Sequence, residues 1–405
     1  MPTQSPWTFK SHFRSKAYGW KGSNLAVGRL KEAVSEIKKV ARTDAVTAAD
    51  GAVTLFERFW PALQHIDTSS GAVGSAVNWA QHELLPLVAS APADRKTRDK
   101  WLDRLWKAIQ EDGVDYLWLV QDHWGELCGS PTVASRWADQ FLSVVRAAWS
   151  DKRPGSYATA SSMCLSGLVA AERHQDLWDL LAIERVPFWP YRKFGVLVLL
   201  KEGRTEEALA YAEASRSRNQ PDPAIDTACE KILLDAGRTD EAYKRYGLKA
   251  NDSSTGLATF RAIAKKYPSV DRKRILQDLA ESSGDSGRWF AATKDAGFYD
   301  LAIQFAQEGR TDPRTLSRAA RDFVNNDAPF AMRAGCLAVE RMAQGFGYEI
   351  TTADVLEACG HFLKAAGECG RGKQAGADLH ALASAAGSIF KDVLLRNSSE
   401  RAARR

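Results

Sequence analysis

Leu199-Leu200-Lys201-Glu202-Gly203-Arg204-Thr205-Glu206-Glu207-Ala208 and Leu233-Leu234-Asp235-Ala236-Gly237-Arg238-Thr239-Asp240-Glu241-Ala242 agree at seven of ten positions. Each reads as the corner of a helical hairpin. The glycine supplies a left-handed bend after one helix, the threonine is placed to cap the next, and the alanine lets two helix backbones approach closely. Fainter copies stand upstream at Ala171-Glu172-Arg173-His174-Gln175-Asp176-Leu177 and downstream at Asp295-Ala296-Gly297-Phe298-Tyr299-Asp300-Leu301-Ala302, so the array is expected over about residues 158–325. Between Gly237 and Gly297 the spacing stretches well beyond that from Gly203 to Gly237, leaving room for an added helical pair expected at 255–266 and 271–282.

The step from Leu199 to Leu233, with these residue types, resembles the tetratricopeptide family, a helix-turn-helix repeat with a period of about 34 residues that stacks into solenoids. Tyr246 stands where that family favours an aromatic residue, whereas Ala212 takes the equivalent place in the first copy. The family's small residue in the first helix is replaced by Val196 and Glu230, so the repeats are degenerate. Around them, apolar residues recur at helical spacing almost throughout, without the two-residue alternation of strands. The expected fold is all-α: an α-solenoid of tetratricopeptide-like repeats with an N-terminal helical domain. Ser23 is placed to cap a helix reaching Arg42, with Leu25, Leu30, Val34, Ile37 and Val40 along one face. Further helices are expected at 47–65, kinked near Pro61, and at 71–88, 94–111, 114–127 and 132–149. The expected organisation is a basic aromatic arm (1–22), the N-terminal helical domain (23–155), the repeats (156–325), a C-terminal helical region (326–395) and a basic tail (396–405).

Four further segments carry a second resemblance. They are Ala258-Thr259-Phe260-Arg261-Ala262-Ile263-Ala264-Lys265-Lys266-Tyr267-Pro268, Trp289-Phe290-Ala291-Ala292, Thr315-Leu316-Ser317-Arg318-Ala319-Ala320-Arg321-Asp322-Phe323 and Gly347-Tyr348-Glu349-Ile350-Thr351. The chain is similar here to a family of conserved, uncharacterised bacterial proteins, from Lys16-Ala17-Tyr18-Gly19-Trp20 to about residue 365. That family brings no assigned activity. Similar helical regions accompany SWIM-type zinc fingers, but those need a Cys-x-Cys pair that this sequence lacks.

A hydrophobic fraction of 45% with 26% charged residues suits a folded, water-facing chain of 405 residues. No apolar run approaches the roughly 18 residues of a bilayer-spanning helix. The segment from Met1 to Arg42 lacks the apolar run and cleavage site of a secretory signal, so the chain is expected to begin at Met1. Six scattered cysteines suit a reducing cytoplasm. Nine Lys/Arg against two Glu give that same segment a charge of +7, more than the +5 of the whole chain.

No motif carries recognisable catalysis. Cys359-x-His361 with Cys369 gathers three soft ligands on one helix, which cannot close a tetrahedral zinc site without a fourth. Adjacent pairs such as Asp122 and His123 diverge by about 100 degrees on a helix. No nucleophile elbow or phosphate-binding glycine loop follows a strand, and Gly345-Phe346-Gly347 reads as a helix end. Acidic pairs Glu206-Glu207 and Asp240-Glu241 fall in first turns, where they complement the helix dipole. No catalytic residue, cofactor or metal is therefore assigned.

Two aromatic and basic clusters are the candidate partner-binding residues: Trp7, Lys10, Phe13, Arg14, Lys16, Trp20 and Lys21 in the arm, and Trp189, Tyr191, Arg192 and Lys193 after Pro187. Such an arm can stack on bases and neutralise phosphates, or clamp across the first helices with its rings inside and its charges outside. The second cluster can cap the array or line its groove. The sequence therefore points to a scaffold or adaptor holding a protein or peptide in a helical groove. The alternative is a nucleic-acid-binding helical-repeat protein of a genome-defence or repair complex, and an enzyme on a helical scaffold is a third possibility.

Overall fold

The computed structural model describes residues 7–151, 158–183, 187–216 and 223–385. Among these residues every regular element is helical, and no helix is long and apolar enough to cross a membrane. The chain divides into two compact units, Met1–Ile225 and Asp226–Arg405, a division inside the expected repeat region. The expected basic tail, 396–405, lies outside the described residues.

In the first unit Ser23–Val40 packs on Ala45–Phe56 and Ala72–Ser90. Leu30, Val34 and Ile37 line the buried stripe, while Leu25, expected on it, is exposed. Ser23 is the first helical residue and not the cap; its hydroxyl donates to the Asp67 carbonyl (2.7 Å). The helix expected to bend at Pro61 instead breaks after Phe56 and resumes at Phe59–Leu63, leaving the proline inside the short second piece. The segment expected as one helix at 114–127 is two short ones, Trp118–Asp122 and Trp124–Leu127. Pro131–Ser150 then lies against Ser161–Ala170, which packs with His174–Leu181 and Trp189–Lys201, and Trp189–Lys201 pairs with Thr205–Glu213.

In the second unit the added helical pair is present as Gly256–Lys266 and Arg272–Ser283, capped by the side chains of Thr255 and Asp271. Phe290–Asp295 packs on Tyr299–Glu308, which lies against Ala328–Ala343; Pro313–Phe323, Ala328–Ala343 and Thr352–Glu368 pack on one another. Phe290, Leu316, Phe330, Leu337 and Phe362 form part of their core.

The corners quoted at the outset share their local geometry. Gly203 and Gly237 take φ of +75° and +74°, with no atom within 4 Å of where a Cβ would stand. In both, the N–H after the glycine reaches back to a helix carbonyl (Arg204 to Leu199, 2.9 Å; Arg238 to Leu233, 2.8 Å) and the glycine's own N–H closes the shorter ring (Gly203 to Leu200 and Gly237 to Leu234, both 3.0 Å). This paired closure satisfies carbonyls that a helix end otherwise leaves bare. Gly297 repeats it (Phe298 to Thr293, 3.1 Å), and so does Glu172 (Arg173 to Leu168, 2.9 Å), at a φ of +57° that an L side chain rarely adopts.

Thr205 and Thr239 do not cap the second helices, because each is the first helical residue and the cap is the arginine before it. Arg173, Arg204 and Arg238 hold nearly the same cap dihedrals (φ −90, −89 and −91°), and each Nε donates to the acid three residues on: Asp176, Glu207 and Glu241, all at 2.8 Å. This arginine–acid bracket sets a carboxylate over each helix start, where the dipole favours negative charge.

Candidate functional site

The arm clamps across the first helices. Its short turn, Thr8–Ser11, is held by Glu36 of Ser23–Val40, whose carboxylate accepts from Thr8 N (2.8 Å), Thr8 Oγ1 (2.7 Å) and Phe9 N (3.3 Å). Trp7 lies over helix Ala45–Phe56 at Gly51, where any Cβ would come within 2.3 Å of the ring. Phe13 meets Tyr18 edge to face at 5.9 Å between centroids, and the Phe13 carbonyl accepts from Arg58 (3.2 Å). Downstream, Lys16 N donates to the Pro61 carbonyl (2.7 Å) and Asp67 N to the Trp20 carbonyl (3.0 Å).

This geometry sorts the candidates. Trp7 and Phe13, expected to face a partner, are buried with Phe9 and Tyr18 and belong to the core, because packing these large rings on the first helices removes their apolar surface from water. Trp20 is the arm's outward ring, 68% exposed. Arg14, Lys16 and Lys21 are exposed and Lys10 half-buried, and none of the four has an acidic partner among the described residues. The sequence contained this sorting only as two open readings, since rings at positions 7, 9, 13, 18 and 20 follow no single helical period.

The second cluster is knitted into the first unit. Phe188 caps helix Trp189–Lys201 in an extended conformation and meets Tyr191 edge-on at 5.0 Å. Tyr191 lies against Trp149 (4.9 Å), whose indole N–H donates to Ser161 Oγ (3.2 Å). The Arg192 guanidinium sits over Tyr211 (5.2 Å), and Tyr211 meets Trp178 edge-on (5.4 Å). Lys193 pairs with Asp122, while Trp189 is half-buried. The cluster thus joins the turn before the repeat helix to the helices beneath it, with Phe188 its exposed ring.

Two polar centres went unnoticed in sequence. Glu230 is 1% exposed, and its carboxylate accepts from Tyr267 Oη (2.6 Å), Asn251 Nδ2 (2.6 Å) and Lys266 Nζ (2.8 Å). Burial, and then the bond to Glu230, push the Tyr267 hydroxyl well above its ordinary pKa. The one available signal was Glu230 itself, standing where the first copy has Val196. In the first unit, burial raises the carboxyls of Asp112 and Asp115; Gln121 Nε2 donates to Asp115 (2.7 Å) and Gln81 Nε2 to the Tyr116 carbonyl (2.8 Å).

Cys359, His361 and Cys369 are not drawn together as ligands. Burial pushes the Cys359 thiol up to about 12, His361 Nδ1 bonds with Ser317 Oγ (3.1 Å), and Cys369 ends the helix. Among the described residues no group of three or more His, Cys, Asp or Glu side chains is placed to hold a metal ion. Comparison of the chain with protein-family models, with curated proteins and with solved structures gives no match.

Proposed function

We propose that the chain is a non-catalytic cytoplasmic adaptor, in which tetratricopeptide-like hairpins stack as an α-solenoid within each unit and offer their outer surfaces to a protein or peptide partner. The observation that carries this reading is the recurrence of one bend, with one pattern of backbone bonds, at Glu172, Gly203, Gly237 and Gly297. Repetition of a corner gives repetition of hairpin geometry, and stacked hairpins present extended surfaces suited to a chain-like ligand. All six cysteines are free thiols, in keeping with a reducing compartment. The test is affinity capture of the full chain from nuclease-treated extract of its source. A stoichiometric protein that survives nuclease and about 0.5 M salt supports the adaptor; recovery of nucleic acid alone sinks it.

A second reading rests on the arm. Trp20 stands outward with Arg14, Lys16 and Lys21 unpaired near it in sequence, the combination of ring and charge that single-stranded nucleic acid engages. With three phosphates neutralised, affinity falls with salt at a logarithmic slope of about −2. Absence of binding to oligonucleotides at low salt removes this reading.

A further inference from the structure

The outward face of helix Ser23–Val40 carries a stripe of exposed residues. Asn24, Gly28, Lys31, Ser35 and Lys39 follow the three-and-four spacing of one helix face, and Arg42 continues it into the turn beyond. None of the six is acidic, and Lys31, Lys39 and Arg42 have no acidic partner among the described residues. At 1.5 Å per residue the stripe is roughly 27 Å long. Gly28 and Ser35 keep the surface low beside the cations, and no atom lies within 4 Å of where a Gly28 Cβ would stand. A charged chain can therefore lie close to it.

The surroundings stay positive after the acids of the neighbouring elements are counted. Glu32 is held by Arg29 (2.7 Å), Glu36 by the backbone of Thr8 and Phe9, and Glu83, from Ala72–Ser90, by Lys38. At and around Ala45–Phe56, Asp50 and Glu57 both bind Arg104, and Asp44 caps the helix by accepting from Thr47 N (2.9 Å). Asp67 accepts from Ser69 N (2.9 Å). With Asp50 and Glu57 offset by Arg58 and Arg104, setting Asp44, Asp67 and Glu83 against the +7 of residues 1–42 leaves about +4. Trp20 stands at the head of the stripe. Its carbonyl accepts from Asp67 N (3.0 Å) and the Asp67 carbonyl accepts from Ser23 Oγ (2.7 Å), so one residue ties the outward ring to the start of the helix.

We propose, resting on the second reading above, that single-stranded nucleic acid stacked at Trp20 runs its phosphates along this stripe, so that Lys31, Lys39 and Arg42 extend the contacts made by Arg14, Lys16 and Lys21. An unpaired base can stack on the exposed ring, whereas a base inside a duplex cannot. Six neutralised phosphates give a logarithmic salt slope of about −4, where the arm alone gives about −2.

Fluorescence anisotropy of the full chain with a labelled oligothymidylate of about 20 nucleotides, titrated with salt, tests the stripe. The parent should show the steeper slope. Substituting Lys31, Lys39 and Arg42 together by alanine should cut affinity at least about tenfold at low salt and bring the slope to about −2. The same charge change at Lys96, Lys100 and Lys107, exposed lysines of Arg95–Glu111, should leave the slope as in the parent. Trp20→Ala should weaken binding about tenfold with the slope unchanged. All these side chains are exposed, so circular dichroism should match the parent throughout. No binding at low salt removes the second reading itself. Binding with a slope near −2 that the stripe variant does not alter leaves that reading standing and overturns the inference. Equal losses in the two triple variants, duplex bound as tightly as single strand, or binding to anionic lipid vesicles without binding to the oligonucleotide would also overturn it.

Discussion

Truncating Phe13 to alanine distinguishes an arm that is part of the core from one that waits for a partner. The ring is 1% exposed and packs edge-on to Tyr18. The backbone around it is anchored from both sides, by Arg58 on the Phe13 carbonyl and by Lys16 N on the Pro61 carbonyl, so the site is poorly able to collapse around the hole. Phe→Ala at a buried, rigid position costs about 3–5 kcal/mol, and rigidity favours the upper half of that range. For a unit of this size each kcal/mol lowers the melting temperature by about 2–4 °C, so the first unit's transition should fall by on the order of 10 °C. Scanning calorimetry with circular dichroism at 222 nm reads it. Trp20→Ala, removing a mostly exposed ring, should stay within about 0.5 kcal/mol of the parent. A Phe13 variant as stable as the parent, or a Trp20 variant equally damaged, would refute the sorting of the arm.

Other outcomes follow from the bends and the buried polar groups. Gly203→Ala and Gly237→Ala should each cost about 1–2 kcal/mol, and by nearly equal amounts, because a Cβ meets nothing at either and the penalty is purely conformational; urea unfolding reads the difference. Tyr267→Phe should destabilise the second unit by about 1–3 kcal/mol, since it deletes one of three donors to a buried carboxylate. The hydrogen bond to Glu126 raises His123 above its usual pKa of 6.5. A group raised on folding stabilises fully below its unfolded pKa and loses that contribution as pH rises through its folded one. An NMR titration should therefore place His123 above 6.5 and find it lower in Glu126→Gln, with the stability gap between the two proteins shrinking toward alkaline pH.

The hairpin corners were legible because a left-handed residue leaves a chemical mark: Gly203, Gly237 and Gly297 stand at the expected places, and the added helical pair begins at residues that cap well. Glu172 was legible only by comparison with its neighbours, because glutamate carries no mark of positive φ. The threonines misled because a good capping residue one position late is a first-turn residue, and the arginine–acid bracket supplies the local electrostatics instead. Partner-facing residues were harder. Trp7 and Trp20 are the same side chain in similarly basic surroundings, and the contact that seats Trp7 is with Gly51, distant in sequence, whose missing Cβ leaves room for its ring.

Amide hydrogen exchange on the full chain, alone and with the captured partner bound, tests the adaptor most directly. The account predicts added protection concentrated in the hairpins between residues 158 and 325, with the buried arm at 7–18 unchanged. Protection confined to the residues around Trp20, with the hairpins exchanging as before, would contradict it.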